Sequence, residues 1–529
     1  MPAQDATATI ASGEQAEESQ VSERHMLIDG QLVGAQQTYP SINPATGDVV
    51  GYAPNADVAD AERAIAAARK AFDTTDWSTN VELRIRCMEQ LHTALVEHSD
   101  ELRALTIAEV GATKALTESA QLDDPIRIVG YYANLLKSYE MSEDLGEIES
   151  RGQRHHRWVE KEAAGVVAAI IAYNYPNQLA LAKLGPSLAA GCSVVLKAAP
   201  DTPLTTLALG EVIAKYTDIP AGVINVISST DPPAVGAALT TSPPDVDVVT
   251  FTGSTATGRK IMAAASDTIK KVFLELGGKS AMIVLDDADF NNCAMMAAFM
   301  ICSHAGQGGC AITTRLLVPP QAPRRDRRAG EELHGHGPLR GSSDPATYMG
   351  PLINDTQREK VDGMVQRAVA AGATVVTGGK KVDGPGFFYE PTLITNVDPD
   401  SELAQEEIFG PVLAVLAYED DDDAVRIANN SIYGLSGGVF GGPPDRALAI
   451  ARRIRTGTMA STAATTSDRT VPSAATSSRA SAARWVWRAW RNSSSARRSR
   501  RSSHEAAGRS AHPRGRHVRL RAVVRRGAA

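Results

Sequence analysis

Hydrophobic positions change their period several times along the chain, and each change marks an element. From Met26, MLIDGQLVG and the turn-rich INPATGDVV read as short strands, and DVADAERAIAAARKAF has helical spacing behind an aspartate placed to cap it. Helical patterns continue to about Lys137. RHHRWVEKEAAGVVAAIIAY first alternates and then turns continuously apolar, which predicts an edge strand followed by one buried in a parallel sheet. Between Gly165 and Gly278 the strand-like runs VVAAIIAY, SVVLKA, VINVISS, VDVVTFTG and KVFLELGG alternate with helix-length segments, the pattern of right-handed βαβ crossovers in a doubly wound sheet. Such sheets take nucleotides at the carboxyl ends of their strands.

A second alternating unit follows: SAMIVLDD, the helix-like DFNNCAMMAAFM, TTRLLV, the helix-like DTQREKVDGMVQRAVAAGA, the strand-like FFYEPTLITNV and PVLAVLAY, and the helix-like DRALAIARRI, ending near Met459. Two segments break this logic. Residues 319–341 carry no periodicity where a connecting helix is needed, and everything after Met459 collapses into Ala, Ser and Arg. That composition is what a shifted reading frame of a GC-rich gene gives, and the return of the pattern at Asp344 fits a compensated pair of shifts.

Composition sets the scale of this picture. With 529 residues and 43% hydrophobic content the chain exceeds one core and can build two or three. A formal net charge of -7 gives no average reason to expect nucleic acid or a membrane surface as partner. No run is long and apolar enough to span a bilayer. The five cysteines are odd in number and scattered without CxxC pairs, which argues against a disulfide framework or structural zinc and suits the cytoplasm. The polar, acidic start of the chain reads as a disordered leader.

Three short motifs bear chemistry. HAGQGGC sets Cys310 in a glycine-rich loop, where it is either a nucleophile or a structural thiol; Cys293 and Cys302 sit at apolar helical positions and read as core. LELGGKS ends a buried strand at Glu275, a general base if desolvation raises its carboxyl, otherwise a capping or ion-paired glutamate. FTGSTATG puts Gly253, Ser254 and Gly258 at a strand-to-helix turn, where backbone N–H groups and a helix N-terminus would hold a pyrophosphate; a plain tight turn is the rival.

Taken in order, INPATG, IAYNYPNQLALAKLGPSLAAGCSVVLKAAPDTP, FTGSTATG, LELGGKS, the GQ-x-C type loop and EEIFGPV resemble the NAD(P)-dependent aldehyde dehydrogenase superfamily over residues 26–319 and 344–459. The resemblance implies an α/β fold: a doubly wound Rossmann-like cofactor domain (residues 25–140 and 163–274), a small oligomerisation hairpin (141–162) and a second α/β catalytic domain (275–459, irregular at 319–341). A leader (1–24) and an Arg/Ser/Ala-rich tail (460–529), both read as disordered, flank them. It also implies site residues. Cys310 adds to an aldehyde, Asn174 and the Cys310 N–H form an oxyanion hole, Lys183 is an active-site lysine, and Glu275 activates the water that hydrolyses a thioester. On the cofactor side stand Tyr173, Lys197 for the adenosine ribose, Gly253, Ser254, Gly258, Leu276, Glu407 for the nicotinamide ribose, and Phe409 beside the nicotinamide. Read without the family, Asn174 is a turn residue, Lys197 a solvated strand-end charge and Lys183 a surface helical lysine.

The implied cofactor is NAD, with NADP left open because Pro200 stands where many NAD-using members carry a glutamate. The implied partners are a small aldehyde and further copies of the chain, as a homodimer or homotetramer. No metal site is expected. Two residues rather than the family's usual one separate Gln307 from Cys310, and an extra residue can displace a chain by roughly 3 Å. After Met459 the family's substrate-tunnel loop and last strand are not recognisable. Three alternatives stand beside an active aldehyde dehydrogenase: an inactive or impaired scaffold, a semialdehyde dehydrogenase, and nucleic-acid binding by the arginine-rich tail with its Trp485, Trp487 and Trp490.

Overall fold

The computed structural model describes residues 22–241, 245–319, 342, 347–461, 494–502 and 520–521. The sequence-based readings of residues 1–21, of 320–341 and of the tail apart from those two short stretches fall outside the described residues.

Five parallel strands form the heart of the first sheet. Val166–Ile170, Ser193–Lys197, Ile224–Ile227, Val248–Thr252 and Lys271–Glu275 pair in the order 271–275, 248–252, 166–170, 193–197, 224–227, and the hairpin Met26–Ile28 and Gln31–Val33 extends the far edge. Continuous apolar runs such as VVAAI and SVVLK make strands here because helices cover both faces, so every one of those side chains is buried. The helices start where the sequence caps them. Asp57 and Asp60 exchange bonds with each other's backbone N–H at the start of Val58–Thr74, whose Ala61, Ala64, Ile65, Ala68 and Ala71 recur at helical spacing and are buried. Chain order reverses at 166–170, since the next two strands lie to one side of it and the last two to the other. That switch point opens a crevice at the carboxyl ends of 166–170 and 248–252.

A second seven-stranded sheet encloses a separate core running from Ala281 to Ala451. Its order is Thr374–Thr377, Thr392–Thr395, Val412–Ala417, Thr313–Val318, Ser280–Val284, Gly437–Phe440, Ala460–Ser461, parallel except for the first pair. The hairpin of Ser142–Ser150 and Gln153–Ala163 projects from the first core, against which Ala163 packs at its base. Ser494–Ser502 pairs antiparallel with Gln153–Ala163, so a strand occurs where the sequence offered only Ser, Ala and Arg. Ser22–Glu23, at the end of the expected leader, pairs with Gly51 and Tyr52. Among the described residues no helix is long and apolar enough to cross a membrane.

Candidate active site

The loop that carries Cys310 is unusual in its backbone. Helix Phe290–Cys302, capped by Asp289, buries Cys293 and Cys302, and burial pushes their thiols up to about 11 and about 12. Both therefore behave as core residues. Immediately after it, His304, Ala305 and Gly306 all take positive φ, at 50°, 50° and 71°. Left-handed backbone costs a non-glycine residue about 1–2 kcal/mol, so the surroundings must enforce it. Buried Gln307 does much of that: its Nε2 donates to the carbonyls of His304 and Pro351, each at 3.2 Å, and its Oε1 accepts from the Ile353 N–H at 2.9 Å. Gly306 is needed in its place because a Cβ there would run into the Gly410 carbonyl.

Cys310 itself is half-buried. Burial, with Glu407 and Glu275 nearby, pushes its thiol up to about 12, while the N–H groups of Cys310 and Ala311 bear on the sulfur in the opposite sense. Glu275 ends the strand Lys271–Glu275 and faces both the thiol and Lys183. Lys183 is no surface lysine. It lies 8% exposed on helix Pro176–Ala189, its Nζ donates to Thr250 Oγ1 at 2.9 Å, and burial lowers its ammonium to about 8 against the opposing pull of Glu275. Asn174 sits in the turn before that helix, 5% exposed, and its Nδ2 donates to the Gln307 carbonyl at 2.7 Å. Cys310, Glu275, Asn174 and Lys183 thus come together on the wall of one cavity of about 410 Å³.

The expected cofactor residues gather at the strand ends beside it. Lys197 ends its strand buried, its Nζ donating to the Ala198 carbonyl at 3.1 Å, and burial lowers it to about 8 although Asp231 opposes. Ser254 caps helix Thr255–Ala265 through the Thr257 N–H at 3.2 Å. Glu407 accepts the Gly278 N–H at 3.0 Å, and burial raises its carboxyl. Phe409, at φ 61°, meets Tyr173 edge-on with ring centres 5.9 Å apart. Two assignments change. The Gly253 N–H donates to the Glu275 carbonyl at 3.0 Å and the Gly258 N–H to the Ser254 carbonyl at 2.9 Å, so neither is free for a phosphate. These glycines shape the turn, and at Gly258 a Cβ would press into the side chain of Leu276. A buried lysine, a carboxylate and the N-terminus of an eleven-residue helix are nonetheless the donor and acceptor set that a dinucleotide requires. Among the described residues no cluster suited to a metal ion occurs.

Sequence reasoning passed over Gln307 as the anchor of the loop, and Gln121, whose Nε2 holds the Asn174 carbonyl at 2.8 Å. A glutamine three residues before a candidate nucleophile was the only signal for the first, and nothing local signals the second.

Comparison with known proteins agrees with this layout. A family model described as the aldehyde dehydrogenase family matches residues 32–478. A mitochondrial aldehyde dehydrogenase of Leishmania tarentolae is 36% identical over 461 residues, 85% of this chain and 89% of that one. A 3-succinoylsemialdehyde-pyridine dehydrogenase of Pseudomonas sp is 37% identical over 448 residues, covering 82% and 89%. Among solved structures, betaine aldehyde dehydrogenase of Staphylococcus aureus in complex with NAD+ superimposes with a TM-score of 0.86 at 32% identity, covering 92% of this chain and 95% of that one. A mutant aldehyde dehydrogenase C of Pseudomonas syringae with NAD+ and octanal gives 0.83 at 30%, covering 90% and 96%.

Proposed function

The chain belongs to the aldehyde dehydrogenase family, and on that premise we propose that it oxidises an aldehyde to the carboxylic acid with NAD, using Cys310 as nucleophile and Glu275 as base. The observation that carries this reading is the meeting of Cys310, Glu275, Asn174 and Lys183 on one cavity wall, beside the strand ends that carry Lys197 and Ser254. Bound NAD accepts the hydride; NAD is preferred because the solved relatives named above hold NAD+.

The rest falls to the chain's own residues. Burial keeps Cys310 a thiol at rest, so its proton must pass to solvent as the sulfur bonds to the aldehyde carbon. The carbonyl π pair moves to oxygen, where the second N–H of the Asn174 amide and the Cys310 N–H donate to the alkoxide. Collapse of the alkoxide releases hydride and leaves a thioester on Cys310. Glu275 then takes a proton from water, the hydroxide attacks, the C–S bond breaks, and acid and free thiol return. The Lys183 ammonium and the Glu275 carboxylate attract each other across the cavity.

Ser254, Lys197, Glu407 and Phe409 would hold the dinucleotide, with Tyr173 and Leu276 behind them. We also read residues 25–140 and 163–274 as the cofactor domain, 275–459 as the catalytic domain, and the exposed hairpin as the contact between copies in a dimer or tetramer. The five free thiols favour a reducing compartment such as the cytoplasm. NADH formation with a panel of aldehydes tests the assignment. Wild-type protein should produce NADH and Cys310→Ser should not; turnover by Cys310→Ser would overturn it.

A further inference from the structure

The cavity does not stop at the reacting groups. Val248, Thr250 and Thr252 alternate along one strand and so line the same face of the sheet, with Glu275 in register beside Thr252 and Val167 beside Val248. All five border the cavity. It therefore runs from the carboxyl ends of the strands, where Glu275 faces Cys310, back towards their amino ends. Four residues of strand place Val248 about 13 Å from Thr252. The roof gives a second ruler. Leu179, Ala182 and Pro186 lie on successive turns of helix Pro176–Ala189, about 5.4 Å per turn, and all three line the cavity. Both rulers describe a slot about two helical turns long leading away from the nucleophile.

The chemistry of the slot is one-sided. Among the described lining residues the only charged groups are Glu275, at the reacting end, and Lys183, whose Nζ donates to Thr250 further along the strand. Beyond them the walls are Val167, Val248, Phe273, Leu179 and Pro186, relieved by Gln178 and Ser187. A quaternary ammonium, or a carboxylate carried beyond Lys183, would lose its hydration there with no partner among the described lining residues, whereas methylenes would gain about 0.8 kcal/mol each. Ala182 lies between Leu179 and Pro186 on the roof: a half-buried methyl where a larger side chain would project across the slot.

We propose that this slot binds the body of the substrate, that the substrate is an unbranched, uncharged aliphatic aldehyde of roughly eight carbons, and that Ala182 sets this length. With carbon–carbon bonds of about 1.5 Å, each advancing an extended chain by about 1.25 Å, some eight carbons span the roughly 10.5 Å of roof from Leu179 to Pro186. The inference rests on Cys310 as the nucleophile, which fixes the reacting end.

The test is a ladder of straight-chain aldehydes from ethanal to dodecanal, with betaine aldehyde and succinic semialdehyde for comparison. In wild type, kcat/KM should rise about threefold to fourfold per methylene up to octanal and then level off. Ala182→Phe should lower the octanal-to-ethanal ratio of kcat/KM at least tenfold. A flat ladder, a ratio unmoved by Ala182→Phe, or preference for either charged aldehyde would overturn the proposal. Calorimetric titration with octanoate separates its failure from failure of the dehydrogenase reading. Octanoate binding that weakens at least tenfold in Ala182→Phe upholds the slot even if no aldehyde yields NADH, and absent or unchanged octanoate binding overturns it even if NADH forms.

Discussion

The side-chain amide of Asn174 donates to the carbonyl oxygen of Gln307 at 2.7 Å, fastening the turn before helix Pro176–Ala189 to the loop that carries Cys310. In the proposed mechanism this amide has two tasks: one N–H fixes the loop and the other meets the developing alkoxide. Asn174→Ala should lower kcat by about 100- to 1000-fold through the lost donor. It should also cost about 1–3 kcal/mol of stability by leaving the buried Gln307 carbonyl unpaired. Steady-state kinetics with thermal melting check both; a lowered melting temperature with kcat intact would confine Asn174 to holding the loop.

In the proposed mechanism Glu275 acts only in the second half of the reaction, so its removal should be visible in time. Glu275→Gln keeps the shape of the side chain and removes the base. Stopped-flow recording of NADH should then show one equivalent formed per site, followed by a steady rate at least 100-fold below wild type. Equal steady rates in the two proteins would remove Glu275 from the hydrolytic step.

Much of this arrangement was legible in the sequence, for reasons that differ by element. VVAAI, SVVLK and VLAVLA announce themselves because strands buried on both faces need unbroken apolar runs. Thr374–Thr377 and Gly437–Phe440 do not, since one is a four-residue edge strand with polar ends and the other opens with two glycines. The run FFYEPTLITNV looked like a single strand, yet the strand begins only at Thr392, after Pro391, which has no N–H to give a ladder. At the site, Cys310, Glu275, Asn174 and Lys183 were legible through ordered motifs. Of the two glycines read as phosphate donors or as a tight turn, Gly253 gives its N–H to the Glu275 carbonyl on the neighbouring strand, a pairing that no local pattern encodes, while Gly258 gives its N–H to the Ser254 carbonyl four residues back.

His304 makes the loop acid-sensitive. It is buried under Tyr175, with ring centres 5.3 Å apart, and burial lowers its imidazole to about 4, outweighing a contact with the Asn174 backbone that acts the other way. The folded state therefore prefers the neutral ring. Stability from this residue is complete above the unfolded value near 6.5 and declines as pH falls from there towards 4, because the unfolded chain takes up the proton first. Integrated over that window the loss is about 3 kcal/mol. Denaturant unfolding at pH 7 and pH 4.5 should show a steeper fall for wild type than for His304→Gln; parallel falls would mean that His304 is accessible to protons in the native state.

Gly278 controls two parts of the site at once, which gives the geometry its most direct test. A Cβ at this position would run into the carbonyl of Cys310 and lie 2.9 Å from its Cα, so Gly278→Ala must push the nucleophile loop away. The same residue's N–H holds Glu407 at 3.0 Å, and any shift of the backbone loosens that carboxylate. A displacement of about 1 Å at a reacting group costs on the order of 100-fold in rate, so kcat should fall by that much while KM for NAD rises. Gly277→Ala is the control. Its Cβ would meet the end of the Glu407 side chain, which can swing aside, so KM for NAD should rise with a much smaller change in kcat. If Gly278→Ala kept the wild-type kcat, the close packing of this glycine on Cys310 would have no part in placing the sulfur, and the argument that ties the loop to the carboxylate strand would fail.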